Sequence, residues 1–153
     1  MPVGTDAVTP GREGASPTLD REAAHLVLED AVRQARALGA AACVAVTDER
    51  GALLAFTRMD GAPIRSVRLS EAKAYTAARL GVTTAAFHER VLRENVPATY
   101  WADPLLTGLP GGAVIRDWNG ALMGAVGISG LAPADDQRLA DIAAAAIQPR
   151  SDR

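Results

Sequence analysis

Two short segments of this chain of 153 residues repeat the same turn, and they constrain the fold more than any other feature. Asp48-x-x-Gly51-Ala52-Leu53 is matched by Asp117-x-x-Gly120-Ala121-Leu122, and apolar runs flank both. The second turn carries Asn119-Gly120, a strong hairpin signal because tight antiparallel turns need residues that take positive φ. Residues 42–47 and 52–58 are therefore expected to form one β-hairpin, and 113–117 and 121–129 a second.

Helical spacing fills the intervals between the hairpins. Thr18 is placed to cap a first helix, with Asp20 and Glu22 in its first turn, where negative charge suits the dipole. Ala24, Leu28, Ala31, Ala35 and Leu38 then recur on one face, and Gly39 supplies the stop. Met59-Asp60-Gly61-Ala62-Pro63 breaks the pattern as a loop. A second helix is expected over 66–80, ended by Gly81, and a third over 84–94. Residues 95–112 hold Pro97, Pro104 and Pro110 and read as a long irregular stretch, the kind that usually has a function or moves. Pro133 opens a last helix with Asp135 and Asp136 in its first turn. The order α-β-β-α-α-β-β-α, with two hairpins, predicts an α+β fold: an antiparallel sheet flanked by helices, and no βαβ nucleotide fold.

Composition narrows the class. At 48% hydrophobic and 22% charged residues, the chain suits one globular domain over 18–147, with tails over 1–17 (expected to be disordered) and 148–153. A net charge of −2 gives no electrostatic reason to expect nucleic acid or an anionic membrane as partner. The first seventeen residues lack the apolar stretch of a signal peptide and nothing approaches the length of a membrane span, so a cytoplasmic location is expected. The single cysteine, Cys43, sits in an apolar run and reads as a small core hydrophobe.

Among 16 basic residues, Lys73 is the only lysine. On a helical wheel of 66–80 it shares a side with Leu69, Thr76, Ala77 and Leu80, opposite Arg68, Glu71, Tyr75 and Arg79, so it should face the sheet. A lysine there must reach water, pair with a carboxylate or lose its proton. It is either an amine anchoring a ligand or moving a proton, or a structural lysine tied to Asp60 or loop carbonyls. Ser70 and Lys73 also match the Ser-x-x-Lys spacing of acyl-transfer enzymes, but Ser-Asp-Asn and Lys-Thr-Gly are missing, which makes the match a coincidence.

The two histidines, His25 and His88, cannot build a three-ligand zinc site alone, yet either suffices as a single axial haem ligand, His25 being the first candidate. Leu109-Pro110-Gly111-Gly112 is glycine-rich without being a Walker loop, and its N–H groups are candidates for holding a ligand. In Gly124-x-x-Gly127-x-x-Gly130, within a strand, glycine marks close backbone approach. Tyr100 and Trp101 suit the roof of a flat ligand or a subunit contact, and Leu26, on the polar side of the first helix, hints at a partner surface.

Five of these segments, in this order, resemble the GlcG/HbpS family over roughly residues 18–147. They are Val44-Ala45-Val46-Thr47-Asp48 with Gly51; Arg58-Met59-Asp60-Gly61-Ala62-Pro63; Lys73-Ala74-Tyr75-Thr76-Ala77; Leu109-Pro110-Gly111-Gly112; and Met123 to Gly130 followed by an acidic helix start. The chain departs from the family in reading Asp135-Asp136 for a usual Gln-Asp pair and Ala113-Val114-Ile115 where a proline is more usual. The resemblance implies a sheet of about five antiparallel strands, assembly into dimers and often octamers, and a pocket near a subunit contact. It makes Arg58, Met59, Asp60, Lys73, Gly111 and Gly112 pocket candidates and haem a candidate cofactor.

Three functions follow for comparison. The first is a haem- or metabolite-binding protein in a homo-oligomer. The second is an enzyme moving a proton on a small aromatic or carbonyl metabolite with Lys73 and Asp60, closed over by Tyr100 and Trp101. The third is a structural or assembly module, in which Lys73 serves only a buried ion pair.

Overall fold

A computed structural model describes residues 18–147; the tails expected over 1–17 and 148–153 lie outside the described residues. The elements run α1 (Arg21–Ala37), β1 (Cys43–Asp48), β2 (Leu53–Arg58), α2 (Arg65–Leu80), α3 (Thr84–Glu94), a 3-10 turn (Ala98–Trp101), β3 (Gly112–Arg116), β4 (Leu122–Ser129) and α4 (Pro133–Ala145). This is the α+β order read from the sequence. The sheet has four strands in the order β2-β1-β4-β3, all neighbours antiparallel, and not the five that the family resemblance implied. Two hairpins supply four strands, and no further segment among the described residues pairs with either edge.

The repeated turn is one piece of chemistry used twice. Asp48 Oδ1 accepts from the N–H groups of Arg50 (2.9 Å) and Ala52 (3.0 Å), and Asp117 Oδ1 from those of Asn119 (2.9 Å) and Ala121 (2.8 Å). Gly51 (φ 89°) and Gly120 (φ 83°) occupy the left-handed position in each. A register shift follows in both hairpins, at Val46/Thr47 and at Ile115/Arg116. Side-chain acceptors in the turn thus take over N–H groups that the ladder cannot reach.

Helix starts differ from the reading at one point. The first helix is capped by Asp20, whose side chain accepts from Ala23 N, while Thr18 instead donates its hydroxyl to Glu49 at 2.6 Å. In α3 the cap is Thr83.

The two faces of the sheet bury residues of different size. Strand alternation sends Val44, Val46, Val126, Ile128, Ala113 and Ile115 to one face, where α1 (Ala24, Val27, Leu28, Ala31) and α4 (Leu139, Ala140, Ala143) close the main core. The partners in register on the other face are small: Ala45 opposite Gly127, Thr47 opposite Ala125, Gly112 opposite Gly127. Helix α2 covers most of this face, its Ala77 and Ala78 packed on Ala125 and Val114. A Cβ at Gly127 would collide with the Ser70 carbonyl, and one at Gly112 with the Lys73 carbonyl, so helix backbone rests directly on strand backbone. This is the close approach expected of the glycine run.

Two glycine substitutions separate turn chemistry from packing. Gly120→Ala meets no atom within 4 Å and suffers only its positive φ, an expected loss of about 1–2 kcal/mol. Gly127→Ala must lift α2 off the sheet and is expected to lose about 3 kcal/mol or more in urea unfolding. Equal losses at the two positions would contradict the seating of α2 described here.

Candidate functional site

The inward lysine is confirmed, but its partner is not Asp60. Lys73 leaves the α2 face, passes Gly111 and donates from Nζ to the Ile128 carbonyl (2.9 Å) and to Asp136 Oδ2 (2.9 Å) on α4, a helix of the opposite layer. Both side chains are 3% exposed. Asp136 Oδ1 accepts from Leu131 N at 2.9 Å. Burial pushes the Asp136 carboxyl above its usual range, and the Lys73 ammonium and the Leu131 amide pull against that rise. The proton-transfer pair expected of Lys73 and Asp60 is therefore not formed: Asp60 is an exposed loop residue on another part of the surface.

Gln137, next to Asp136, extends this polar knot. Its Oε1 accepts from Gly111 N (2.8 Å) and Ala85 N (3.2 Å), and its Nε2 donates to the Gly112 carbonyl (2.9 Å) and to Asp141 (2.8 Å). Thr84 Oγ1 accepts from Gly112 N at 2.7 Å. Both N–H groups of Gly111-Gly112, expected to face a ligand, are consumed inside the fold. The sequence reading used Asp136 only as a helix-dipole charge and passed over Gln137. Yet Asp136, Leu139, Ala140 and Ala143 recur at three- and four-residue spacing, which puts Asp136 on the buried face.

Tyr100 and Trp101 roof no cleft with Lys73. Trp101 stands edge-on to Phe87, centroids 5.2 Å apart, with the Arg90 guanidinium 5.3 Å from its ring. Tyr100 is 75% exposed. His88 Nδ1 lies 2.9 Å from the Gly108 carbonyl, which leaves Nε2 as its free nitrogen.

The remaining candidates gather on the groove between α1 and the edge strand β2. One cleft, of ≈ 550 Å³, is lined by Arg36, Arg58, Met59 and Asp60 with Glu29 and Val32. A smaller one, of ≈ 270 Å³, is lined by Arg21, His25, Leu28, Leu54, Ala55 and Phe56. Glu29 and Thr57 border both, so the two adjoin. The His25 side chain is 65% exposed, its Nε2 3.8 Å from Glu29. Arg58 Nε donates to the Ala62 carbonyl at 3.1 Å, and Met59 Sδ accepts from Ala42 N at 3.5 Å, which fixes this end of the groove. Among the described residues no three His, Cys, Asp or Glu side chains converge as a metal site, and no helix is long and apolar enough to cross a membrane.

A four-stranded antiparallel sheet with α1 and α4 on one face and α2 on the other, strapped by a buried lysine, defines a small layered α+β domain. Residues 19–146 match the profile of the family described as haem degrading protein HbpS-like, and the chain belongs to that family. Protein GlcG of Escherichia coli K12 is 40% identical over 87 residues, 56% of this chain and 62% of that protein, so the aligned segment spans under two thirds of the curated relative. A double mutant of Streptomyces reticuli HbpS superposes with a TM-score of 0.79 at 26% identity, over 96% of this chain and 99% of that one. Klebsiella pneumoniae ORFY gives 0.80 at 26% identity, over 88% and 94%. A PduOC–haem complex gives 0.77 at 26% identity, over 85% and 95%.

Two measurements check the site as described. Lys73→Met leaves a buried carboxylate without its counter-charge and is expected to cost about 3–5 kcal/mol in urea unfolding, much of it regained in Lys73→Met/Asp136→Asn, which keeps an acceptor for Leu131 N. A double variant no more stable than the single one would argue against a coupled pair. The second concerns Tyr75, whose hydroxyl donates to Asp103 at 2.7 Å, a bond that holds its pKa above the usual tyrosine value. A raised folded pKa means that the folded chain holds this proton more tightly. The contribution to stability is complete below the unfolded value of about 10 and is lost as pH rises through the folded one. In a Tyr100→Phe background, tyrosinate absorbance of Tyr75 is expected to develop at a lower pH once Asp103→Asn is introduced.

Proposed function

We propose that this chain binds haem, or a similarly flat acidic ligand, in the groove between α1 and β2. The observation that carries the reading is the adjacency of the two clefts: His25 beside Leu28, Leu54 and Phe56 at one end, Arg36 and Arg58 at the other. An imidazole on the lip of a cleft is a suitable single axial ligand for haem iron. Guanidinium groups are matched to carboxylates such as the haem propionates. The donor chemistry of the groove therefore fits the group that one solved relative binds and that the family description names. Haem would supply a redox-active iron; the residues of this chain would orient it and pair with its acid groups.

His25 is preferred to His88 because it borders a cleft, whereas the Nδ1 of His88 is turned to the Gly108 carbonyl. The groove is open along the exposed edge of β2, and a second copy laid over it would complete the enclosure, in keeping with a homo-oligomer. The enzyme reading through Lys73 draws no support from the geometry, since that ammonium is buried against Asp136 and borders neither cleft.

Haemin titrated into the purified chain is expected to give a saturable Soret band. His25→Ala should abolish or shift it, Arg58→Gln should weaken binding about tenfold, and His88→Ala should leave it unchanged. A spectrum no different from free haemin would remove haem from the reading. A band lost only in His88→Ala would move the ligand to α3.

A further inference from the structure

On the opposite face of the sheet, away from His25, a third cleft of ≈ 430 Å³ opens between α2 and the β1–β2 hairpin. Pro104, Leu105 and Leu106 form its third wall. That wall is anchored in advance: Asp103 accepts from the Tyr75 hydroxyl at 2.7 Å and from Leu105 N at 3.1 Å, and Thr107 N donates to Thr76 Oγ1 at 2.9 Å. The size falls in the range of small-molecule sites.

Three features of the lining point to a ligand. Thr47, 2% exposed at the inner end, has the only buried side-chain oxygen or nitrogen without a hydrogen-bond partner among the described residues. Native interiors rarely leave such a group unmatched, and a turn of the Thr47 side chain toward the cleft it borders would bring its hydroxyl to a ligand. Arg68 and Glu71, opposite charges on neighbouring positions of α2, both line the cleft and form no ion pair with any described residue. Leu53 and Leu105, 52% and 58% exposed, leave apolar surface uncovered beside them.

We propose that this cleft is a second ligand site, for a free aliphatic α-amino acid. Its carboxylate pairs with Arg68, its ammonium with Glu71, and its side chain packs on Leu53, Leu105 and Leu106, while the Thr47 hydroxyl gains the hydrogen bond it lacks. Two opposite charges about one helical turn apart beside an apolar wall match a zwitterion better than they match a simple acid or amine. A pocket of this volume holds an amino acid together with ordered water.

The test is calorimetric titration of the full-length chain with leucine, isocaproate (no ammonium) and isoamylamine (no carboxylate). Leucine is expected to bind at one saturable site, with each truncated compound at least about tenfold weaker. Arg68→Gln and Glu71→Gln should each weaken leucine about tenfold, and Thr47→Val should weaken it with an unchanged circular dichroism spectrum. The first two substitutions are on the helix surface, so unfolding is not the expected outcome; thermal unfolding of each variant verifies this. His25→Ala should leave leucine binding intact, which keeps the result separate from haem binding on the other face. Absence of saturable leucine binding to the wild type, or binding that survives Arg68→Gln and Glu71→Gln undiminished, would overturn the proposal.

Discussion

Helix α2 can lie flat on the sheet only because the facing strands carry almost no side chain, and the rest of the structure is arranged around that contact. Gly112, Gly127 and Ala125 let helix backbone meet strand backbone, a geometry with little apolar area of its own to hold it. The compensation is polar and buried. Lys73 crosses from the small-residue face to Asp136 on the opposite layer, and Gln137 ties the start of β3 to α3 and α4. A buried ion pair is a weak source of net stability, but breaking one half of it is costly, so it defines which arrangement of layers is allowed. The hydrophobic core between the sheet, α1 and α4 supplies the bulk of the stabilisation; the lysine strap fixes where α2 sits against it.

With both faces spoken for in this way, open surface remains where the sheet runs out. All three clefts border the β1–β2 hairpin or its exit, two on the α1 side and one on the α2 side. An edge strand has one unpaired side and is covered less completely than an inner one, so ligands and partner chains find room there. The family's association with haem is thus compatible with a fold whose interior is full.

Much of this was legible in the residues, and the parts that were not share a cause. The two hairpins were readable because turn chemistry is local: an aspartate, a glycine three positions on, and apolar alternation either side. The helix of Lys73 and its inward face were readable from spacing alone. The partner of Lys73 was not, since Asp136 lies 63 positions away and the choice among carboxylates is made by packing. Asp60 was the wrong choice for that reason. The same holds for Gly111 and Gly112, whose N–H groups read as available until Thr84 and Gln137 are seen to take them. Tyr100-Trp101 suggested a lid, but an aromatic pair in a loop does not reveal that Phe87 on α3 is waiting beneath the indole. The α1–β2 groove was legible only in part: Arg58, Met59 and Asp60 came from a family resemblance, while Arg36 and Glu29 enter through the fold.

The burial of the only lysine gives the folded chain an unusual chemical silence. Acylating reagents that modify exposed amines find no lysine side chain to attack while α2 is seated, whereas the arginines leave the surface as basic as that of any ordinary protein. Modification of Lys73 can proceed only through openings that separate α2 from α4, so its rate measures how often those layers part. The residue that closes the structure is thereby also a covalent clock for its opening.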